Sequence, residues 1–203
     1  MTIRKVALMG NPILSSIAKP VKDPMDPEIA QLVEDMKDTL ADLGGSWIAA
    51  PQVFESLRLV VYRKNLQGTR KLTDEANSCV VFVNPILTLT SKEMVSGWER
   101  CHSIPGMHGK VPRYKSLQIT YQTLDGSEVT LDAQGEQAVL LQHECDHLDG
   151  ILYPMRMEDL SKFEFNAEPG FLAQDVAEGM KVWPVLQDLV DAWPGSPIGR
   201  GIA

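Results

Sequence analysis

The chain has 203 residues, of which 44% are hydrophobic and 23% charged, and a formal net charge of −8. That length gives one compact core with room for an extension, and the acidic balance excludes a broad electrostatic grip on nucleic acid or anionic lipid. The longest apolar runs, such as Leu59-Val60-Val61-Tyr62, fall far short of a bilayer span, so no membrane association is expected.

Cys79, Cys101 and Cys145 make an odd set without the spacing of a small disulfide scaffold, which fits a reduced, intracellular compartment with at least one thiol left for chemistry. Met1 to Leu8 lacks the apolar stretch and small-residue cleavage site of a secretory signal. Gly10, Pro12, Pro20 and Pro24 punctuate an extended, turn-rich beginning. A helix follows, with Asp26 as N-cap, Pro27 in its first turn, an apolar stripe at Ile29, Leu32, Val33, Met36, Leu40 and Leu43, and a stop at Gly44-Gly45. The stripe reads as a core face. Gly45-Ser46-Trp47-Ile48-Ala49-Ala50-Pro51-Gln52 reads as a tight loop leading into a strand.

Strands are expected at 57–63, 80–84, 93–98, 116–122 and 128–132. The last two flank Leu124-Asp125-Gly126, a hairpin signal. His108, between Gly106 and Gly109, reads as an exposed loop residue, and Cys79 and Cys145 as buried small side chains. Residues 155–170 look polar and loop-like. A short amphipathic helix over 185–193 is bracketed by Pro184 and Pro194, and the tail from Gly195 to Ala203 is expected to fray. A helix, several mostly antiparallel strands and a second helix make an α+β fold. The expected division is a main domain over 1–165 and an extension over 166–203.

The second helix, around Gln142-His143-Glu144-Cys145-Asp146-His147-Leu148-Asp149-Gly150, carries the chemistry. A period of 3.6 residues stacks His143 and His147 on one face, where both imidazoles can hold one metal ion. Glu144 stands beside the first histidine, in reach of a water at the metal without being a ligand, which is the logic of H-E-x-x-H. The bland alternative is an amphipathic helix with two surface histidines. Two imidazoles leave the ion short of a ligand. A thiolate such as that of Cys101 beside two imidazoles would make a three-ligand site with a fourth position open, as a hydrolytic site requires.

With these residues in hand, the sequence resembles the peptide deformylase family. Gly45 to Gln52 resembles the family's glycine-containing A-A-P-Q loop, Glu99-Arg100-Cys101-His102-Ser103 its E-G-C-L-S segment, and Gln142 to Gly150 its Q-H-E-x-D-H-L-x-G helix. Gly10-Asn11-Pro12, Asn84-Pro85 and Val111-Pro112-Arg113 extend the likeness over roughly residues 7–165. The resemblance implies removal of the formyl group from the formylmethionine of new polypeptides. It implies Fe²⁺, with Zn²⁺, Ni²⁺ or Co²⁺ as alternative occupants, held by Cys101, His143 and His147; physics alone would suit zinc equally well. It gives Glu144 the proton transfers, and Gln52 (through its side-chain amide) and His102 (through its backbone N–H) the stabilisation of the oxyanion. Gly45, Trp47, Ile48, Glu99, Arg100 and Arg113 stand where substrate contacts are expected, Glu99 with an ion pair as its alternative role. The expected partners are N-formylmethionyl peptides and nascent chains, with transient ribosome contact and no direct nucleic-acid or membrane binding. The expected location is cytoplasmic, because a likeness beginning so near Met1 leaves no room for an organelle transit peptide.

Three positions depart from the pattern. Trp47 replaces a glycine, so its indole either enters the peptide groove or turns away onto the surface. Arg100 replaces a glycine and, in extended chain, points away from the face used by Cys101, towards solvent or a salt bridge. His102 replaces a leucine, and its backbone N–H survives the exchange. These departures keep open an amidohydrolase with altered peptide or acyl preference, or a binding module that retains the site; a general zinc protease would need a further downstream ligand that is not evident.

Overall fold

The computed structural model describes residues 2–63 and 79–195, so most of the tail expected to fray lies outside the described residues. The chain divides into two compact units, Met1–Glu93 with Tyr114–Leu152, and Met94–Arg113 with Tyr153–Ala203.

In the first unit, helix α1 (Pro27–Leu43) forms where the sequence places it. Asp26 accepts the Glu28 N–H at 2.9 Å, Pro27 opens the first turn, and Gly44 closes the helix in the left-handed region at φ 66°. Strands β1 (Trp47–Ala49), β2 (Leu59–Arg63), β3 (Cys79–Leu89), β6 (Ser116–Gln122) and β7 (Glu128–Gln134) build one sheet in the order β1-β2-β3-β6-β7, every pair antiparallel. The hairpin joining β6 to β7 turns at Gly126, as its local sequence predicts.

Side chains alternate across this sheet. Ile48, Leu59, Val61 and Val83 pack with Ile29, Leu32, Val33, Met36 and Leu40 of α1. Trp47, Ala49, Val60 and Phe82 face the other way and pack with Ala138, Leu141 and Leu148 of α2 (Glu136–Leu148). The sheet therefore lies between the two helices, and the helix carrying His143 and His147 is held by a full layer of core.

Strand β3 breaks its register between Val83 and Ile86, where Asn84 sits at φ 51°. The Asn84 side chain accepts from the Val21 N–H and donates to Val21 O and Gln122 Oε1, all at 2.8–2.9 Å. This gives the Asn84-Pro85 pair a structural role.

The second unit holds β4 (Met94–Cys101), β5 (Ile104–Tyr114) and β8 (Phe163–Phe165) in the order β4-β5-β8, with α3 (Gly170–Ala177) and α4 (Pro184–Ala192). Trp98 shares a cluster with Leu172, Ala173, Leu186 and Val190 of these helices, and its indole donates to Asp175 Oδ2 at 2.8 Å. Helix α4 matches its proline-bracketed signal. Helix α3 and strands β5 and β8 were not expected, and His108 corrects the sequence reading. It lies on β5 with no exposed surface, its Nδ1 3.0 Å from Asn166 Oδ1 and its Nε2 3.3 Å from Glu164 Oε2. Pairing of β5 with β8 covers it.

Candidate metal centre

Helix α2 places His143 and His147 four residues apart, both buried, their rings meeting edge to face with centroids 5.1 Å apart. Cys101 closes strand β4 and is partly buried. The Cys101 sulfur and one nitrogen from each imidazole all lie within 4.8 Å of one another. The donors fit a divalent ion: one soft sulfur and two imidazoles suit iron or zinc, and three ligands leave a coordination position for solvent or substrate. The Ser103 N–H donates towards the Cys101 sulfur at 3.4 Å.

The helix is fixed at its middle and at its C-terminal end by contacts the sequence reading did not assign. Gln142 accepts the Tyr114 N–H at 3.0 Å and donates to Tyr114 O at 2.8 Å, and so copies a strand's pairing with a side-chain amide. At the C-terminal end, Leu148 O accepts the Ala18 N–H at 2.8 Å, while Arg58 lies 3.4 Å from the same oxygen and 2.6 Å from Asp149 Oδ1. A cation there also suits the helix dipole. Gly150, at φ 72°, packs so closely on the chain at Ser15 that a Cβ would come within 2.7 Å of its carbonyl carbon. Gln142 and Gly150 were visible inside the quoted motif; nothing local marks Arg58.

Glu144 is buried beside His143. Gln52 is buried on the turn after β1, and its Oε1 accepts the Ala49 N–H at 2.9 Å. That bond orients the amide so that its nitrogen is the end presented for donation. Cys145 behaves as expected: burial pushes its thiol far above the ordinary range and leaves it inert.

The positions expected to meet substrate fall into two groups. Ile48 is fully buried against α1, and Glu99 and Arg113 form a buried fork with Nε–Oε1 2.7 Å and Nη2–Oε2 3.0 Å. Trp47 is buried as well, its ring stacked on Tyr62 at 4.0 Å and near Phe82 at 5.8 Å, so the indole is part of the core and does not lie on the surface. Gly45, His102 and Arg100 keep more exposure. Burial lowers the Arg100 pKa, opposed by Tyr153, and no salt bridge forms at Arg100 among the described residues.

A family model described as polypeptide deformylase matches residues 3–163. Peptide deformylase 1 of Nitrosomonas europaea is 41% identical over 179 residues, covering 87% of this chain and 99% of its own length. Peptide deformylase 2 of Pseudomonas putida is 42% identical over 168 residues, covering 80% and 92%. Among solved structures, the peptide deformylase of Thermotoga maritima superposes with a TM-score of 0.69 at 30% identity, covering 78% of this chain and all of its own. A Met-Ala-Ser-bound class I type b peptide deformylase from Acinetobacter baumannii gives 0.67 at 34%, covering 76% and 98%.

Proposed function

This chain belongs to the peptide deformylase family, and on that premise we propose that Cys101, His143 and His147 hold its metal while Glu144, Gln52 and His102 carry out the proton transfer and charge stabilisation. The chain is a metal-dependent hydrolase that removes the N-formyl group from the N-terminal formylmethionine of newly made polypeptides and releases formate. The observation that carries the site assignment is the convergence of one sulfur and two imidazole nitrogens within 4.8 Å.

When bound, the metal supplies Lewis acidity towards the formyl oxygen and acidifies a water near neutral pH. Glu144 accepts the proton that this water loses and delivers it to the departing amine. An amide needs both services, because its carbonyl is a poor electrophile and its nitrogen a poor leaving group. The Gln52 side-chain amide and the His102 N–H donate to the oxygen as it gains charge. Gly45 and Arg100 meet the peptide directly. Trp47, Ile48, Glu99 and Arg113, whose side chains are committed to internal contacts, serve through their backbone or by holding their neighbours in place. Fe²⁺ is the native ion in this reading, with Zn²⁺, Ni²⁺ or Co²⁺ able to replace it. Nascent chains are met in the cytoplasm, during transient contact with the ribosome. Residues 1–165 are the catalytic part and 166–203 an extension; the family match ending at residue 163 supports that division.

The test is formate release from formyl-Met-Ala-Ser by protein prepared anaerobically with Fe²⁺. Glu144→Ala should reduce the rate by about 10²- to 10⁴-fold or more with metal content unchanged. Stoichiometric metal with no formate from any formyl peptide would overturn the assignment.

A further inference from the structure

Strand β4 ends the order β4-β5-β8, so its outer edge carries no further strand among the described residues. An open edge offers N–H and C=O groups that an extended peptide can pair with, while alternate side chains are read by whatever flanks that edge. Cys101 is the last residue of this strand and one of the three clustered donors, so a peptide paired along β4 would have its formyl end at the metal site. Arg100, one position earlier, projects to the face opposite Glu99 and Cys101.

The guanidinium of Arg100 is half-buried and makes no hydrogen bond or ion pair among the described residues. Its neighbouring acid is already engaged, since Glu99 pairs with Arg113. Two other cations of the same unit are engaged: Lys110 lies 2.7 Å from Asp175, and Lys162 sits over the Phe171 ring at 3.5 Å. A side chain directly across a strand pair approaches to about 5 Å between Cβ atoms, within reach of a forked Arg–carboxylate contact.

We propose that Arg100 selects formyl peptides with an acidic side chain downstream of the first residue, pairing with that carboxylate while the peptide lies along the outer edge of β4. This rests on the deformylase reading and names its preferred substrate class. Because Arg100 stands where the family pattern has glycine, the preference belongs to this chain's own sequence.

The test compares kcat/KM for formyl-Met-Ala-Glu, formyl-Met-Glu-Ala, formyl-Met-Ala-Gln and formyl-Met-Ala-Lys. All are C-terminally amidated, so that the only carboxylate is the side chain's. The better-placed glutamate peptide should exceed the lysine peptide by about 3- to 10-fold at low salt, chiefly through KM, and the margin should shrink as salt rises. Arg100→Gly should remove the preference, and Arg100→Glu should turn it towards lysine, a reversal that a merely structural role would not produce. Equal kcat/KM across the four peptides, or an acidic preference that survives in both variants, overturns the proposal. No formate from any peptide with any of the three proteins instead refutes the deformylase reading beneath it.

Discussion

The Glu99–Arg113 fork ties β4 to β5 two residues before Cys101, and its removal has a calculable consequence. Both partners are nearly without exposed surface, at 1% and 4%, and two N–H···O contacts of 2.7 and 3.0 Å join them. Arg113→Met deletes the cation and leaves the Glu99 carboxylate buried without its bidentate partner, a change that costs about 3–5 kcal/mol. For a chain of this size each kcal/mol moves Tm by about 2–4 °C, so the midpoint should fall by about 6–20 °C. Glu99→Met should cost a similar amount. The double variant, with both charges replaced by apolar side chains of similar length, should regain most of the loss, because the two desolvation costs vanish together. Thermal unfolding of the four proteins, with metal stoichiometry on the same samples, measures the coupling. If each single change costs under about 1 kcal/mol, or the two losses simply add, the pair is not the buried clamp described here.

Trp47→Gly removes an indole stacked on Tyr62 and near Phe82, so it should cost about 3–5 kcal/mol of stability without improving kcat/KM for formyl-Met-Ala-Ser. A large rise in kcat/KM at unchanged Tm would put the indole in the peptide's path instead. Burial alone would raise the Glu164 pKa, but His108 and the N–H groups of Phe171 and Leu172 outweigh it and hold the carboxyl below its ordinary 4.5. Its contribution is therefore complete above the unfolded value and lost as pH falls through the folded one. The protection factors of the Phe171 and Leu172 amides, corrected for intrinsic exchange, should fall below about pH 4.5 in the wild type and depend less on pH in Glu164→Gln; identical protection profiles would refute this account.

What was legible in the sequence was written locally. Asp26, Pro27, the apolar stripe and Gly44 each report on the few residues around them, so α1 could be bounded from the chain alone. Strand β5 could not. Ile104-Pro105-Gly106-Met107-His108-Gly109 carries turn residues at the positions a strand predictor penalises, and its partner β8 is more than 50 residues away. Gly109, which looked like a loop residue, sits in close packing: a Cβ there would come within 2.7 Å of the Met157 sulfur and 3.0 Å of the Tyr153 ring, so those side chains would have to shift. The fate of His108 follows from the same long-range pairing. At the candidate site, spacing alone pointed to His143, Glu144 and His147, whereas Cys101 lies more than 40 residues away, and its assignment needed the resemblance carried by three ordered motifs.

The departures from the family pattern fall outside the three clustered donors and Glu144. A metal site is set by ligand positions, and on α2 those are held by groups with no part in the reaction: Gln142 against Tyr114, Arg58 at the closing turn, Gly150 pressed on Ser15. These contacts hold the helix that carries both imidazoles, so removing any of them should disturb the ligand positions. His102 changes a side chain where the proposed contribution is a backbone N–H, and Trp47 is absorbed by rings already stacked on the same sheet face. Arg100 alone introduces a charge that no described neighbour neutralises. A half-buried charge kept without a partner costs stability whenever the peptide is absent. Of the three departures, it is therefore the one whose presence is best explained by what the enzyme binds.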